Sequence, residues 1–161
     1  MVPVRGREAR CNAMERMDDI EEIVETFDLL EDWDERYRLI IDMGRALPAM
    51  DEALKTAASK VEGCVSQVWL VSRTDEDDPQ RLRFVADSDA HIVRGLIAML
   101  LAAYDGKTGR EIIALDADEL FSRLGLDSHL SPNRRNGLGA MVARIRTEAE
   151  RASGGEKVSI H

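Results

Sequence analysis

Side chains able to do chemistry are sparse in this sequence, and Cys64 is the most conspicuous of them. It lies in "KVEGCVSQVWLVSR" (residues 60–73), directly after Gly63 and just ahead of a hydrophobic run. The chain has two cysteines, and the other, Cys11, sits in a polar N-terminal stretch. A thiol so placed can be packing filler, half of a disulfide, a metal ligand or a nucleophile. A zinc site takes about four Cys, His or carboxylate ligands at suitable spacings. Cys64 has no CxxC partner, and His91, His129 and His161 are scattered, so no metal is expected. A cysteine hydrolase needs a histidine base oriented by a third group, and the spacing of His91 and His129 suggests neither for that task. Two cysteines in such different settings make no disulfide framework. Free cysteine often ends as a small buried hydrophobe. Gly63 weighs on the other side, because it implies a turn, and turns lie at the surface where a thiol can be reached. Packing and nucleophilic roles both stay open on these residues alone.

A second candidate group stands far downstream in "SPNRR". Arg134 and Arg135 fall at the expected start of the last helix, where a cation opposes the helix dipole. They are either two solvated arginines or a cation recruited to an anionic centre.

The totals narrow the function classes. The 161 residues suit one domain, and 44% apolar content is enough for a core, although aromatics at 4% leave it to Leu, Ile, Val, Met and Ala. A formal charge of -9 argues against a nucleic-acid partner and against docking on anionic lipid, both of which need a basic footprint. A protein partner with a basic face is more compatible. The N-terminus "MVPVRGREARCNAMERMDD" has no apolar stretch of the signal-peptide kind. The most apolar segment, residues 92–104, holds Arg94 and is too short to span a bilayer. A cytoplasmic location is expected, where reducing conditions keep a thiol free.

The elements that must position Cys64 and Arg134 are legible as periods. Residues 1–17 carry no hydrophobic period and are expected to be disordered or an artefactual extension, with Met14 or Met17 as alternative starts. Ile20, Ile23, Val24 and Phe27 give a short amphipathic helix, acidic outside. Trp33, Tyr37, Ile40 and Ile41 give a second, weakened at its end by Gly44 and stopped by Pro48. The period then drops to two. Residues 65–72 and the run Leu82, Phe84, Ala86 predict an antiparallel hairpin across the polar "TDEDDPQ", and Val61 is a candidate for an earlier strand. Ser88 is expected to cap the apolar helix of residues 92–104 with Asp89 in its first turn, and Gly95 inside that helix implies close packing. "DGKTG" reads as a turn. Thr108 with Glu111 and Asp116 with Glu119 have capping-box spacing. Ser131 and Pro132 open a last helix whose stripe is Leu138, Met141, Val142, Ile145 and Ala149. Residues 153–161 are expected to form a disordered tail. The expected fold class is α+β: a small antiparallel sheet of about three strands packed by five or six helices, over residues 18–152.

Taken in order, "DWDERYRLIIDMGRALP", "VEGCVSQVWLV", "ADSDAHIVRGLIAMLLAAYDG" and "FSRLGLDSHLSPNRRNGLGAMVARIR" resemble the successive blocks of the SufE family, whose relatives include the CsdE-type proteins. The resemblance covers residues 23–152. It implies a SufE/IscU-like fold and a sulfur acceptor and carrier for iron–sulfur cluster assembly, activating a partner without stand-alone catalysis. That partner is a cysteine desulfurase of the SufS or CsdA type, which carries the pyridoxal phosphate. The carrier needs no cofactor of its own and is expected as a monomer or weak dimer that passes sulfur to a SufBCD-type scaffold. By the same resemblance Cys64 is the sulfur-accepting cysteine, and Arg134 matches the family's arginine near it. Asp89 falls beside the cysteine loop on the side facing the desulfurase, with Gly63, Val65 and Gln67 as further partner-facing positions. Val65 stands where the family has glutamine, which puts any role of that side chain in doubt. The alternatives are a CsdE-like carrier feeding another pathway, such as RNA modification, and an IscU-type scaffold, which would need several thiolates to hold iron.

Overall fold

The computed structural model describes the backbone of residues 20–63 and 66–160, with side chains up to residue 152. The N-terminal extension, Cys11, Cys64, Val65 and His161 lie outside the described residues. The architecture is α+β, as the periods imply.

Helix α1 (Ile20–Leu29) buries Ile23, Val24 and Phe27. Helix α2 (Trp33–Ala46) starts at Asp32, whose carboxylate accepts the Asp34 N–H, and ends before Pro48. A single 3-10 turn (Glu52–Leu54) follows. Strands β1 (Val68–Thr74) and β2 (Arg81–Ser88) form the antiparallel hairpin, pairing Val68 with Ser88 and Thr74 with Leu82. Val68 and Leu70 on β1 and Leu82, Phe84 and Ala86 on β2 point into the core. The third strand, β3 (Lys107–Thr108), lies within the segment expected as a turn and pairs antiparallel with Arg81 and Leu82, giving the order β1-β2-β3. It covers only that end of β2. Farther along the same edge the Phe84 N–H is taken by the carboxylate of Asp105 at 2.8 Å. Residues 59–61 make the shorter pairing foreseen for Val61: Lys60 bridges Trp69, Val61 N–H donates to the Val68 carbonyl and Leu70 N–H to that of Ser59.

Helix α3 (His91–Tyr104) is the central helix, with Val93, Leu96, Ile97, Met99, Leu100, Ala103 and Tyr104 buried. Its start departs from the expected one. Ser88 is the last residue of β2, Ala90 precedes the helix without a side-chain cap, and Ser88 instead accepts the Ala90 N–H through its hydroxyl. Ser88 is held in the ladder opposite Val68, and the carboxylate of Asp89 accepts the N–H of Gln67, one residue before β1. Helix α2 crosses α3 where Gly44 meets Gly95. A Cβ on Gly95 would lie 2.0 Å from the Ile40 carbonyl oxygen, and one on Gly44 would lie 2.7 Å from the Gly95 nitrogen. Gly44, read in the sequence as a weak helix end, is therefore the other half of this crossing.

Helix α4 (Gly109–Ala114) has the complete capping box of Thr108 and Glu111, whereas in α5 (Ala117–Leu124) only the Asp116 half forms. A one-turn helix α6 (Leu126–His129) follows, and a last helix brings the α-helices to seven among the described residues. Helix α7 runs Pro132–Ile160 and so takes in residues 153–160, the stretch assigned to a tail above. Ser131 caps it by accepting the Arg134 N–H at 3.3 Å. No helix among the described residues is long and apolar enough to cross a membrane.

Candidate functional site

Gly63 and Ser66 bracket Cys64, and both face α7. Gly63 is exposed in a turn with φ +92°, a conformation that favours glycine, and its Cα side rests against Ala140, with a Cβ there meeting the Ala140 methyl at 3.3 Å. Ser66 stands in the wall of a cleft of about 190 Å³. The lining also takes in Ser131, Asn133 and Arg134 at the start of α7 and the apolar Val68, Val93, Leu96, Leu138 and Met141. Arg134 is exposed. Ser66 and Arg134, 68 positions apart along the chain, thus line the same cleft.

Gln67 and Asp89 are brought together directly. Gln67 N–H donates to the Asp89 carboxylate at 3.1 Å, and Asp89 N–H donates back to the Gln67 carbonyl at 3.3 Å. This pair adds one rung to the β1–β2 ladder beyond Val68–Ser88 and closes the segment that contains Cys64. Both side chains are exposed, so the rung lies at the surface. Cys64 and Val65 themselves lie outside the described residues.

The two described histidines have other occupations. His91 is exposed at the start of α3. His129 stacks on Trp33 with ring centres 4.0 Å apart, its Nδ1 lies 3.1 Å from the Gly125 carbonyl, and its own carbonyl accepts the Tyr37 hydroxyl. Among the described residues no three His, Cys, Asp or Glu side chains converge as a metal site would require.

Sequence reasoning missed a buried charge network behind this region. Asp87 is 3% exposed and accepts the backbone N–H of Met50 at 3.1 Å and of Ser88 at 2.7 Å. It also pairs with Arg94, and Lys55 Nζ lies 3.6 Å away over the Trp69 ring. Arg94 extends the network by donating to the Gly44 and Leu47 carbonyls at the end of α2. Burial by itself would raise the Asp87 carboxyl and is the largest single influence. The Met50 and Ser88 N–H groups with the Arg94 and Lys55 charges outweigh it and hold the pKa below the ordinary carboxylate value. A group depressed in this way stabilises the fold above its unfolded pKa, near 3.9, and that contribution is lost as pH falls through the folded value. An Asp87→Asn variant should therefore lose about 2–3 kcal/mol at pH 7, less than full removal of a buried partner because the amide oxygen still accepts. Urea titrations should show the gap to wild type closing below about pH 4. A gap that is constant from about pH 7 to about pH 3 would refute this assignment.

The chain matches the model of the SufE family, described as an Fe-S metabolism associated domain, over residues 21–149. It is 52% identical over 136 residues to an uncharacterized SufE-like protein of Rhizobium etli, spanning 83% of this chain and 91% of that one. It is 47% identical over 136 residues to another from Rhizobium meliloti, spanning 83% of this chain and 96% of the relative. Its fold is also similar to the solution structure of a hypothetical protein from Thermus thermophilus, with a TM-score of 0.68 at 15% identity over 84% of this chain and 96% of the other.

Proposed function

We propose a function that starts from one fact, that this chain belongs to the SufE family: it accepts sulfur on Cys64 from a cysteine desulfurase and carries it into iron–sulfur cluster assembly. The donor strips sulfur from L-cysteine with its pyridoxal phosphate and holds it as a persulfide. The Cys64 thiolate attacks the outer sulfur of that persulfide. A new S–S bond forms on Cys64, the donor's S–S bond breaks, and the donor cysteine leaves as a thiolate. The proton lost by Cys64 is matched by one taken up by the donor thiolate. Because the sulfane sulfur passes between thiolates at the same oxidation state, there is no net oxidation or reduction.

Two requirements follow. The attacking group must be a thiolate, and free cysteine, with a pKa of about 8.5, is only a few per cent ionised at neutral pH. A cation beside it raises that fraction and steadies the loaded persulfide anion, which is the role given to Arg134. The loaded sulfur also needs shelter from stray thiols. The observation that carries the proposal is that Ser66 and Arg134 line one cleft, together with the apolar Val93, Leu96, Leu138 and Met141, and that Ser66 is two residues from Cys64. The chain's other cysteine, Cys11, lies 53 positions upstream, so no second thiol flanks Cys64 in sequence to resolve the persulfide as a disulfide. Gly63, Val65, Gln67 and Asp89 form the face offered to the desulfurase, and the carrier works in the cytoplasm, delivering to a SufBCD-type scaffold.

The test is to mix the protein with its genome's cysteine desulfurase and L-cysteine, then map sulfur by mass spectrometry without reductant. One added sulfur atom on the peptide containing Cys64 is expected. Desulfurase turnover that leaves this peptide unmodified would end the proposal.

A further inference from the structure

Arg144 projects from α7 about one turn beyond Met141, the last of the cleft-lining residues, and on the same stripe, since 134, 137, 138, 141 and 144 recur at helical spacing. Its guanidinium donates to the Lys60 carbonyl at 3.1 Å and to the Ala58 carbonyl at 2.7 Å. Those two carbonyls alternate with that of Ser59, which accepts the Leu70 N–H of β1. The short segment 59–61 is therefore held on its inner side by β1 and on its outer side by one side chain, which occupies the place of a neighbouring strand. The guanidinium is itself fixed: its Nε donates to Glu148 at 3.2 Å, and the other Glu148 oxygen accepts the Ser72 hydroxyl at 2.9 Å. Arg144 and Glu148 are mostly covered, at 24% and 15% side-chain exposure.

This segment is the entry to the connection that carries Cys64, and Asp89 secures the exit by its two bonds to Gln67. The entry pairing with β1 is two hydrogen bonds long, Val61 to Val68 and Leu70 to Ser59. A slip of one residue there would turn the side chains of residues 59–61 to the opposite face and shift the point from which the following connection departs. We infer that Arg144 is a positioning residue for sulfur uptake: its fork on the Ala58 and Lys60 carbonyls sets the register from which the Cys64 segment departs. It touches no reacting atom. The inference rests on the acceptor reading of Cys64 and adds a residue to it.

The experiment is single-turnover transfer of radiosulfur from a preloaded cysteine desulfurase, with donor concentration varied. Arg144→Gln should lower the saturating rate about tenfold and leave the half-saturating concentration within about twofold, because the docking face is untouched while the thiol is misplaced. Arg144→Lys should recover part of the loss, since an ammonium can serve one carbonyl at a time. Glu148→Gln, a milder change, should give a smaller drop of the same kind. Hydrogen exchange at the Val61 and Leu70 amides should quicken in the order wild type, Glu148→Gln, Arg144→Gln. If wild type takes up no sulfur, the acceptor reading falls and this inference falls with it. If wild type loads normally and all three variants load at its saturating rate, or lose only in half-saturation, the inference alone is overturned.

Discussion

A Cys64→Ser variant should bring desulfurase turnover down to the rate seen with no acceptor added, while a Cys11→Ser variant should match wild type. The change at position 64 is nearly isosteric, so the expected loss is chemical. A hydroxyl supplies essentially no alkoxide at neutral pH, whereas a thiol supplies a few per cent of a far better nucleophile. The sulfur–oxygen product would in any case be a poor store for sulfane sulfur. Binding should survive, because the Gln67–Asp89 rung and the Gly63 turn do not depend on the thiol. The serine variant should accordingly inhibit a mixture of wild type and desulfurase by occupying the donor. Turnover stimulated by the serine protein as strongly as by wild type would place the acceptor elsewhere.

Gly95→Ala should be the most damaging single methyl group in the fold. Alanine is ordinarily the better helix former by about 1 kcal/mol, so propensity alone predicts a gain. At this crossing the methyl would stand 2.0 Å from the Ile40 carbonyl oxygen and 2.5 Å from the Ile40 Cγ2. The first of these is backbone of a packed helix and cannot swing aside. Relieving it requires α2 to move off α3 by roughly 1.3 Å, measured against an ordinary C···O contact. Such a shift would disturb Ile40 and Met43 on one side and Leu96 and Met99 on the other, all buried. It would also strain the Arg94 bonds to Gly44 and Leu47. A net loss of about 3 kcal/mol is expected, at the upper end for overpacking, which lowers Tm by about 6–12 °C for a chain of this size. Thermal unfolding followed by circular dichroism reads this directly. A melting temperature equal to or above that of wild type would mean the helices part without cost.

These effects mark where the sequence was readable. Gly95 stood out because a glycine in the most apolar run needs a reason. Gly44 did not, since a glycine four residues before a proline looks like an ordinary helix end. Arg94 carried a usable signal that went unused: an arginine inside that same run has to find a carboxylate, and Asp87, seven residues earlier, is its partner. The two long strands showed through alternation. Lys107 and Thr108 could not, because two residues have no period and the flanking glycines spell a turn. Ser88 and Asp89 looked like a helix cap because both residue types favour that place, but the ladder's end claimed them first. At the site, Cys64 and Arg134 are 70 positions apart, and only the order of the family's blocks linked them. Arg144 was beyond reach, since one arginine on a polar-looking helix face reads as solvated until the carbonyls beneath it are seen.

The edge of β2 carries a consequence for assembly. An unpaired strand edge is a template on which another chain can add itself, and soluble proteins guard such edges. Here β3 shields only Arg81 and Leu82, and beyond it the Phe84 N–H that an incoming strand would need is already held by Asp105. A single carboxylate thus does the guarding that elsewhere takes a whole extra strand. Any copy of the chain that tried to extend this sheet in register would first have to evict that side chain from its bond and from its ion pair with Arg83. On this side of the sheet, addition of a further strand is opposed at Phe84.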